Sequence, residues 1–208
     1  KASSLMDEQV IAAMAKWPHV PAAYGWLSLN ERGLWRFHHN GDFEANPEGE
    51  RIENSQLIAF FGRNYCVNEG GEWYVQNGPQ RVYLSLPHAP FILFYDEAAA
   101  RLSTHHGHTI KAVKHWYLSD EGRIFVQSDV GPAMLIGRDV PAWLEQIQVI
   151  AADGQRRPFA EADVAAILAG QQLTLSLTTA EGELSANCGL LESHKAEQTL
   201  GFVSMPKP

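Results

Sequence analysis

The chain has 208 residues and a formal net charge of −8, and its acidic residues are spread along the sequence rather than gathered in a tail. Binding to a nucleic-acid backbone requires a concentrated basic face, so we expect no nucleic-acid partner. The longest strongly apolar stretches, such as 89–95, are far shorter than a membrane-spanning helix, so we expect no membrane partner either.

Cysteine usage favours a reducing compartment. Cys66 and Cys188 are the two cysteines, and their spacing fits neither a disulfide framework nor a paired metal motif. Because no basic leader followed by an apolar segment is visible, we expect a cytoplasmic protein. Cys66 stands among aromatic residues on a predicted helix, where it is interpreted as a small buried hydrophobic residue rather than a reactive thiol.

The first predicted element is an amphipathic helix. Ser4 is its expected N-cap, Val10, Met14 and Trp17 recur at helical spacing, and Pro18 ends it. The pattern predicts that this helix packs one face on the rest of the chain.

A hairpin pattern occurs twice and is the most informative feature of the sequence. Residues 26–37 read WLSLNERGLWRF, and residues 116–126 read WYLSDEGRIFV. In each copy a tryptophan opens an apolar strand, a polar turn ends at Gly33 or Gly122, and a second apolar strand follows. The pattern predicts a duplicated β-rich module.

The remaining predicted elements alternate strands with a few helices. The stretch 38–50 is rich in turn signals and is expected to be an exposed loop, and Asn54 or Ser55 is expected to cap the next helix. Asp139 is expected to cap a later helix. The other predicted strands are 73–76, 81–86, 91–95, 110–118, 123–127, 148–151, 173–178 and 199–204, with a helix near 160–168.

These elements predict an α+β fold made of mostly antiparallel modules, each with a packed helix. Short turns between successive strands favour antiparallel pairing, and the helices are too few for a parallel βαβ series. We place the domain boundary within the polar stretch 97–101. This gives an N-terminal module at 1–97 and a C-terminal module at 98–208 that carries an added αβ segment from about residue 148.

The run Thr104-His105-His106-Gly107-His108 is the one local cluster of metal-capable side chains in the sequence. No HExxH, HxH-plus-carboxylate or cysteine-pair pattern accompanies it to complete a zinc site, so a solvated loop is the preferred interpretation and no metal or other cofactor is expected. A metal-dependent enzyme built on His105, His106 and His108 stays as an alternative.

Motifs for covalent or phosphate chemistry are absent from the sequence, which contains neither GxSxG nor GxxxxGK[ST] nor GxGxxG. Asp96 and Glu97 are adjacent on an extended segment and therefore point to opposite faces, which suits a solvated strand end better than an acid–base pair. The tryptophans, Trp26 and Trp116 among them, are interpreted as core residues rather than as a stacking platform. We therefore expect a protein without catalytic activity.

Five short runs resemble a bacterial family known as domain of unknown function twelve-eighty-five. They are Gly33-Leu34-Trp35, Gln56–Phe61, Gly71–Val75, Gly78–Val82 and His88–Phe91, and with a weaker match at 125–140 the resemblance spans about 33–147. It implies a duplicated core, a C-terminal part like pleckstrin-homology domains, and a groove between the halves that holds a nucleotide-like ligand in signal transduction.

The expected site lies between the two modules and is lined by Gln80, Arg81, His88 and Arg138. Arginine offers a planar donor fork for phosphate or carboxylate, and Gln80 and His88 could orient a base or sugar. The expected function is thus a ligand-binding or regulatory protein. A protein-interaction module is a further alternative, favoured if the faces of the strand meander at 73–95 carry an apolar patch.

Overall fold

Two β-sheets organise the chain in the computed structural model, which describes residues 6–208. The chain divides into two units, each with one of the sheets. The described part of the first unit comprises 6–30, 34–90 and 201–208, and the second unit comprises 31–33 and 91–200. Within the described residues, no helix combines the length and apolar character needed to cross a membrane.

The first unit contains a six-stranded sheet. Its helices and strands are α1 (Glu8–Lys16), β1 (Ala23–Leu29), β2 (Trp35–Phe37), β3 (Glu50–Arg51), α2 (Ser55–Arg63), β4 (Tyr65–Val67), β5 (Trp73–Asn77) and β6 (Gln80–Ser85). The strand order is β3-β2-β1-β6-β5-β4.

The second unit contains a nine-stranded sheet and three α-helices. These are β7 (Phe91–Asp96), β8 (Arg101–Thr104), β9 (Val113–Ser119), β10 (Ile124–Ser128), β11 (Pro132–Leu135), α3 (Val140–Gln146), β12 (Gln148–Ile150), β13 (Arg156–Pro158), α4 (Glu161–Leu168), β14 (Leu173–Thr179), β15 (Gly182–Leu191) and α5 (Ala196–Leu200). The order is β13-β12-β14-β15-β9-β10-β11-β7-β8.

The two sheets share one topology. In the first unit, β1 pairs antiparallel with β2 and parallel with β6, while β2 pairs with β3 and β5 pairs with both β4 and β6. In the second unit, β9, β10, β11, β12, β14 and β15 repeat each of these pairings in the same order. A helix, α2 or α3, follows the third strand of each copy. The duplicated, mixed α+β fold expected from the hairpin pattern is confirmed.

The hairpins of the two copies align without a gap. Both have a three-residue turn, 31–33 or 120–122, closed by the pairs Asn30 with Leu34 and Ser119 with Arg123. Both turns end in a glycine with positive φ. Counting back from the turn, Leu27 of β1 corresponds to Trp116 of β9, so the tryptophans that open the two sequence patterns occupy different positions.

The helix α2 begins where the sequence places it. The Oδ1 of Asn54 accepts hydrogen bonds from the backbone N–H groups of Gln56 and Leu57, both at 3.0 Å, which satisfies two of the free donors at the helix start. The helix buries its apolar side chains only partly, since none of its residues is fully buried.

The first helix, α1, is attached to the end of α2 by an ion pair. The Oδ1 of Asp7 lies 2.9 Å from the Nε of Arg63, and this hydrogen bond is the main reason that the pKa of the Asp7 carboxyl is lowered. Asp7 occupies the N-cap position of α1, and Val10 is the buried residue of this helix. The N-cap expected at Ser4 lies outside the described residues.

Several sequence predictions for individual elements are wrong. Cys66 lies on β4 rather than on a helix, because α2 ends at Arg63. The strand predicted at 199–204 is the end of α5 followed by irregular chain. The ten-residue strand β15 was not predicted, and its many small and polar residues explain the miss. The segment from 148 is not wholly an addition, since β12, β14 and β15 belong to the repeated topology and the insertion is β13 with α4.

Candidate functional site

A cleft of about 680 Å³ lies in the first unit between α2 and the sheet. This volume falls within the usual range for small-molecule sites. The lining is mainly apolar and comes from five strands, the residue after β3 and one helix. The lining residues are Ala23, Trp26, Leu27, Phe37, Glu50, Arg51, Ile52, Leu57, Phe61, Val75, Asn77, Gln80 and Val82.

Two of the apolar walls are open to solvent. Trp26 is 38% exposed and Leu57 is 41% exposed, both high values for large apolar side chains. Because exposed apolar surface is unfavourable in water, a concave cluster of it is characteristic of a binding surface.

A local irregularity in β1 accompanies the placement of Trp26. The pairing of β1 with β6 shifts register between Ala23 and Leu27, and this bulge lets both Trp26 and its neighbour Leu27 line the cleft. Gly25 has a φ of +81°, and a Cβ at this position would lie 2.5 Å from the carbonyl oxygen of Gly41. The bulge therefore depends on glycine at position 25.

Polar groups sit at the edges of the cleft. The Nε2 of Gln80 donates to the carbonyl oxygen of Pro21 at 3.1 Å. The Glu50 carboxylate lies near the Nε2 of His39, with 3.2 Å between Oε1 and Nε2, and both side chains are largely exposed. An apolar interior with a few polar groups at its margin is the arrangement that orients small ligands.

The second copy of the fold fills the corresponding space. Trp116, which corresponds to Leu27, packs on Trp143 of α3 with 5.4 Å between the ring centroids. The two side chains are 0% and 1% exposed. Two large indoles thus close the interior between helix and sheet in the second unit, where the first unit has a leucine and an open cleft.

The structure places Gln80 and Arg81 on opposite faces of β6. Gln80 lines the cleft, whereas the Arg81 guanidinium lies over the Tyr74 ring at 4.4 Å and donates to the Tyr83 hydroxyl at 3.3 Å. That hydrogen bond is the main reason that the pKa of Arg81 is raised. The two side chains are consecutive in a strand and so do not converge on one ligand atom.

The other two predicted site residues lie elsewhere. His88 is half-buried in the bend between β6 and β7 and belongs to the first unit. Arg138 belongs to the second unit, where its guanidinium lies 5.3 Å from the centre of the Phe94 ring and its Nε lies 3.8 Å from the Oδ1 of Asp139. Ligand contacts by His88 and Arg138 stay predictions.

The histidine run forms a turn after β8, where its rings form a cluster with Phe91. The ring centroids of His105 and His106 are 5.3 Å apart, those of His106 and His108 are 5.1 Å apart, and Phe91 stacks on His106 at 5.4 Å. Burial lowers the pKa of His105 well below its ordinary value, and burial followed by His108 lowers that of His106 to about 4. Among residues 6–208, no group of three His, Cys, Asp or Glu side chains could hold a metal ion, so the metal-enzyme alternative gains no support.

The exposed apolar side chains do not form the patch on the meander at 73–95 that would favour a protein-interaction module. Within the described chain, the large apolar residues with substantial exposure are Ile11, Trp17, Val20, Trp26, Leu57, Val67 and Leu168. They lie outside the meander at 73–95, whose faces were expected to carry the patch.

Sequence reasoning missed a serine–histidine pair. The Oγ of Ser28 lies 2.7 Å from the Nε2 of His38, and the Nδ1 of His38 lies 2.8 Å from the carbonyl oxygen of Asn46. Burial is the main cause of the lowered pKa of His38. The two residues share no sequence motif, because their contact comes from the pairing of β1 with the segment that follows β2. With 2% and 0% exposure, the pair is closed to substrates.

Comparison with known families identifies a relationship along nearly the whole chain. The model of a family described as "Protein of unknown function (DUF2946)" matches residues 6–207. The chain belongs to this family. No curated protein and no solved structure matches it.

This membership corrects the resemblance to domain of unknown function twelve-eighty-five, which was wrong. The five short runs that suggested it are one helical segment, Gln56–Phe61 of α2, and four strand or turn patterns of a kind that unrelated chains share. The pleckstrin-homology likeness and the nucleotide-like signalling ligand came only from that resemblance and lose their basis. The family's own description assigns no function.

Proposed function

We propose that the first unit is a small-molecule binding module and that the cleft between α2 and the sheet is its site. The observation that carries this proposal is the contrast between the two copies of the fold. Trp116 and Trp143 fill the interior of one copy, while the other keeps a cavity of about 680 Å³ with Trp26 and Leu57 exposed at its walls.

The lining supports binding rather than catalysis. Neither serine, cysteine nor histidine occurs among the residues that line the cleft. Of the predicted site residues, Gln80 keeps a role, because its amide lies at the cleft margin. The ligand that fits has an apolar body, since apolar side chains predominate in the lining. A cytoplasmic location remains part of the proposal and is supported by two buried free cysteines.

A titration with the neutral fluorescent probe N-phenylnaphthylamine tests the site. The probe becomes bright in apolar surroundings, and we expect it to bind the purified protein in the micromolar range. Val82→Trp places a large side chain inside the cleft and should abolish binding. Leu57→Ala removes an exposed wall and should weaken binding roughly tenfold, since a lost leucine contact is worth about 1.4 kcal/mol or slightly more.

Two matched variants serve as controls. Leu168 is 46% exposed in the second unit and Trp17 is 51% exposed at the end of α1, and neither lines the cleft. Leu168→Ala controls for Leu57→Ala. Trp17→Ala controls for Trp26→Ala, a third cleft variant that removes the exposed indole wall and should also weaken binding. Binding that is equal in the cleft variants and in their controls would show that the probe binds elsewhere and would refute the site.

A further inference from the structure

The margin of the cleft combines two aromatic rings with one carboxylate. The rings of Trp26 and Phe37 lie 5.9 Å apart and are tilted by 41°. Phe37 of β2 pairs directly with Glu50 of β3, so the Glu50 side chain shares the face of the sheet from which Phe37 lines the cleft. We infer that the ligand of this cleft is a cation, an ammonium or quaternary ammonium group attached to an apolar body.

This inference rests on the proposed function and names its ligand class. Aromatic faces attract cations through the negative potential above the ring, and tryptophan is the strongest of these acceptors. A carboxylate beside two such rings adds a direct charge attraction. The positive head would lie between Trp26, Phe37 and Glu50, and the apolar body would extend toward Leu57 and Val82 inside the cleft.

An anionic ligand is less well matched to the same residues. Arg51 is the cation among the lining residues, and it pairs across the strands with Arg36. The guanidinium of Arg36 donates to the carbonyl oxygens of Glu48 and Gly49, on the face of β2 opposite Phe37. Since neighbouring strand residues alternate between faces, Arg51 leaves β3 on the face opposite Glu50 and borders the cleft only at its rim, whereas Glu50 shares the face of Phe37.

His39 is the other titratable group beside the carboxylate. Its ring lies edge-on to Phe37 at 5.0 Å, and its Nε2 is 3.2 Å from Oε1 of Glu50. A protonated His39 would compete with the ligand for Glu50. The experiment is therefore run at about pH 8, above the ordinary titration range of an imidazole.

The test compares three competitors of equal chain length against N-phenylnaphthylamine. They are octyltrimethylammonium, octanol and octanoate, each used below its critical micelle concentration. We expect the cation to displace the probe at roughly tenfold lower concentration than octanol, and octanoate to be the weakest of the three. The Glu50→Gln and Phe37→Leu variants should reduce this preference to less than about threefold while still binding the probe.

Glu48→Gln is the matched control, because it removes the same charge two residues before Glu50 at a position that does not line the cleft. It should leave the preference unchanged. If the probe binds in the cleft and the cation has no advantage, or if octanoate is preferred, the cation inference is overturned while the proposed function stands. If the probe does not bind in the cleft at all, both the cation inference and the proposed function are overturned.

Discussion

The Nε2 of His38 accepts a hydrogen bond from the hydroxyl of Ser28. The assignment follows from the other ring nitrogen, since Nδ1 faces the carbonyl oxygen of Asn46 at 2.8 Å and a carbonyl can only accept. Nδ1 therefore carries the proton, and Nε2, 2.7 Å from the Ser28 Oγ, is the acceptor. The resulting geometry resembles that of a nucleophile and its base, but the pair is buried and ties β1 to the loop that follows β2.

Replacing Ser28 with alanine should destabilise the protein. The change leaves a buried imidazole nitrogen without its donor, and we expect the free energy of unfolding in urea to fall by about 1–3 kcal/mol. A fluorophosphonate that labels activated serines should not react with the folded protein, because Ser28 is only 2% exposed. Rapid labelling of Ser28 under native conditions would show instead that the loop opens and that the pair is reactive.

Gly25→Ala should lower the free energy of unfolding by more than an ordinary glycine substitution does. The alanine would adopt a strained positive φ, and its Cβ would meet the carbonyl oxygen of Gly41 at 2.5 Å. Gly154→Ala is the matched control, since Gly154 has a φ of +84° and nothing lies within 4 Å of the added Cβ. We expect a loss of about 1 kcal/mol in the control and at least about twice that in Gly25→Ala, measured by urea unfolding. Equal losses would mean that the bulge adapts.

The indole pair of the second unit should respond differently to two substitutions at one position. Trp116→Ala removes a fully buried indole and should lower the free energy of unfolding by about 3–5 kcal/mol. Trp116→Phe should cost much less, because it keeps most of the packing and removes a buried indole N–H that has no hydrogen-bond partner in the structure. Thermal unfolding of the two variants checks the order. A loss in Trp116→Phe as large as that in Trp116→Ala would show that the indole N–H, which both changes remove, contributes a strong bond.

Acidification should destabilise the second unit through the cluster of His105, His106 and His108. Burial lowers the pKa of His106 to about 4, below the value of about 6.5 in an unfolded chain. Between these values the unfolded state binds more protons, so stability is lost as pH falls from about 6.5 to about 4. His106→Asn should flatten this dependence by roughly 1 kcal/mol in urea unfolding at several pH values. His194→Asn, at an exposed imidazole, is the control, and an equally flattened curve there would contradict the assignment.

Glu183 should stabilise the protein only above strongly acidic pH. Hydrogen bonds from Ser176, Arg156 and Thr178 lower the pKa of its carboxyl to about 2. A depressed carboxyl pKa contributes stability that is present above about pH 4.5 and is lost as pH falls toward 2. Because the side chain is 40% exposed, the discounted effect of Glu183→Gln at neutral pH is about 1 kcal/mol. The difference between variant and parent should vanish near pH 2.

The repeated hairpin could be predicted from the sequence because its signals are local. Strand alternation, turn composition and the glycines at 33 and 122 all lie within a dozen residues, and they gave both the fold class and the duplication. The register could not be read in the same way. The sequence pattern aligned Trp26 with Trp116. Counting from the turn of each hairpin shows instead that Trp116 corresponds to Leu27.

Only part of the candidate site was accessible from the sequence. Gln80 was predicted for a site between the two modules rather than for this cleft. The cleft walls come from β1, β2, β3, β5, β6 and α2, which are brought together by tertiary pairing. The exposure of Trp26 depends on the bulge at Gly25, which no local periodicity marks. The contact between Ser28 and His38 depends likewise on strand pairing and loop closure.

The difference between the filled and the open copy also bears on how the protein can vary. A change at Trp116 or Trp143 leaves a void among packed neighbours and is penalised through folding. A change at Trp26 or Leu57 alters a surface that solvent already reaches, so its folding penalty is smaller. Sequence divergence within the family should therefore be tolerated at the cleft walls and restricted at the indole pair, which would let ligand preference change while the fold is retained.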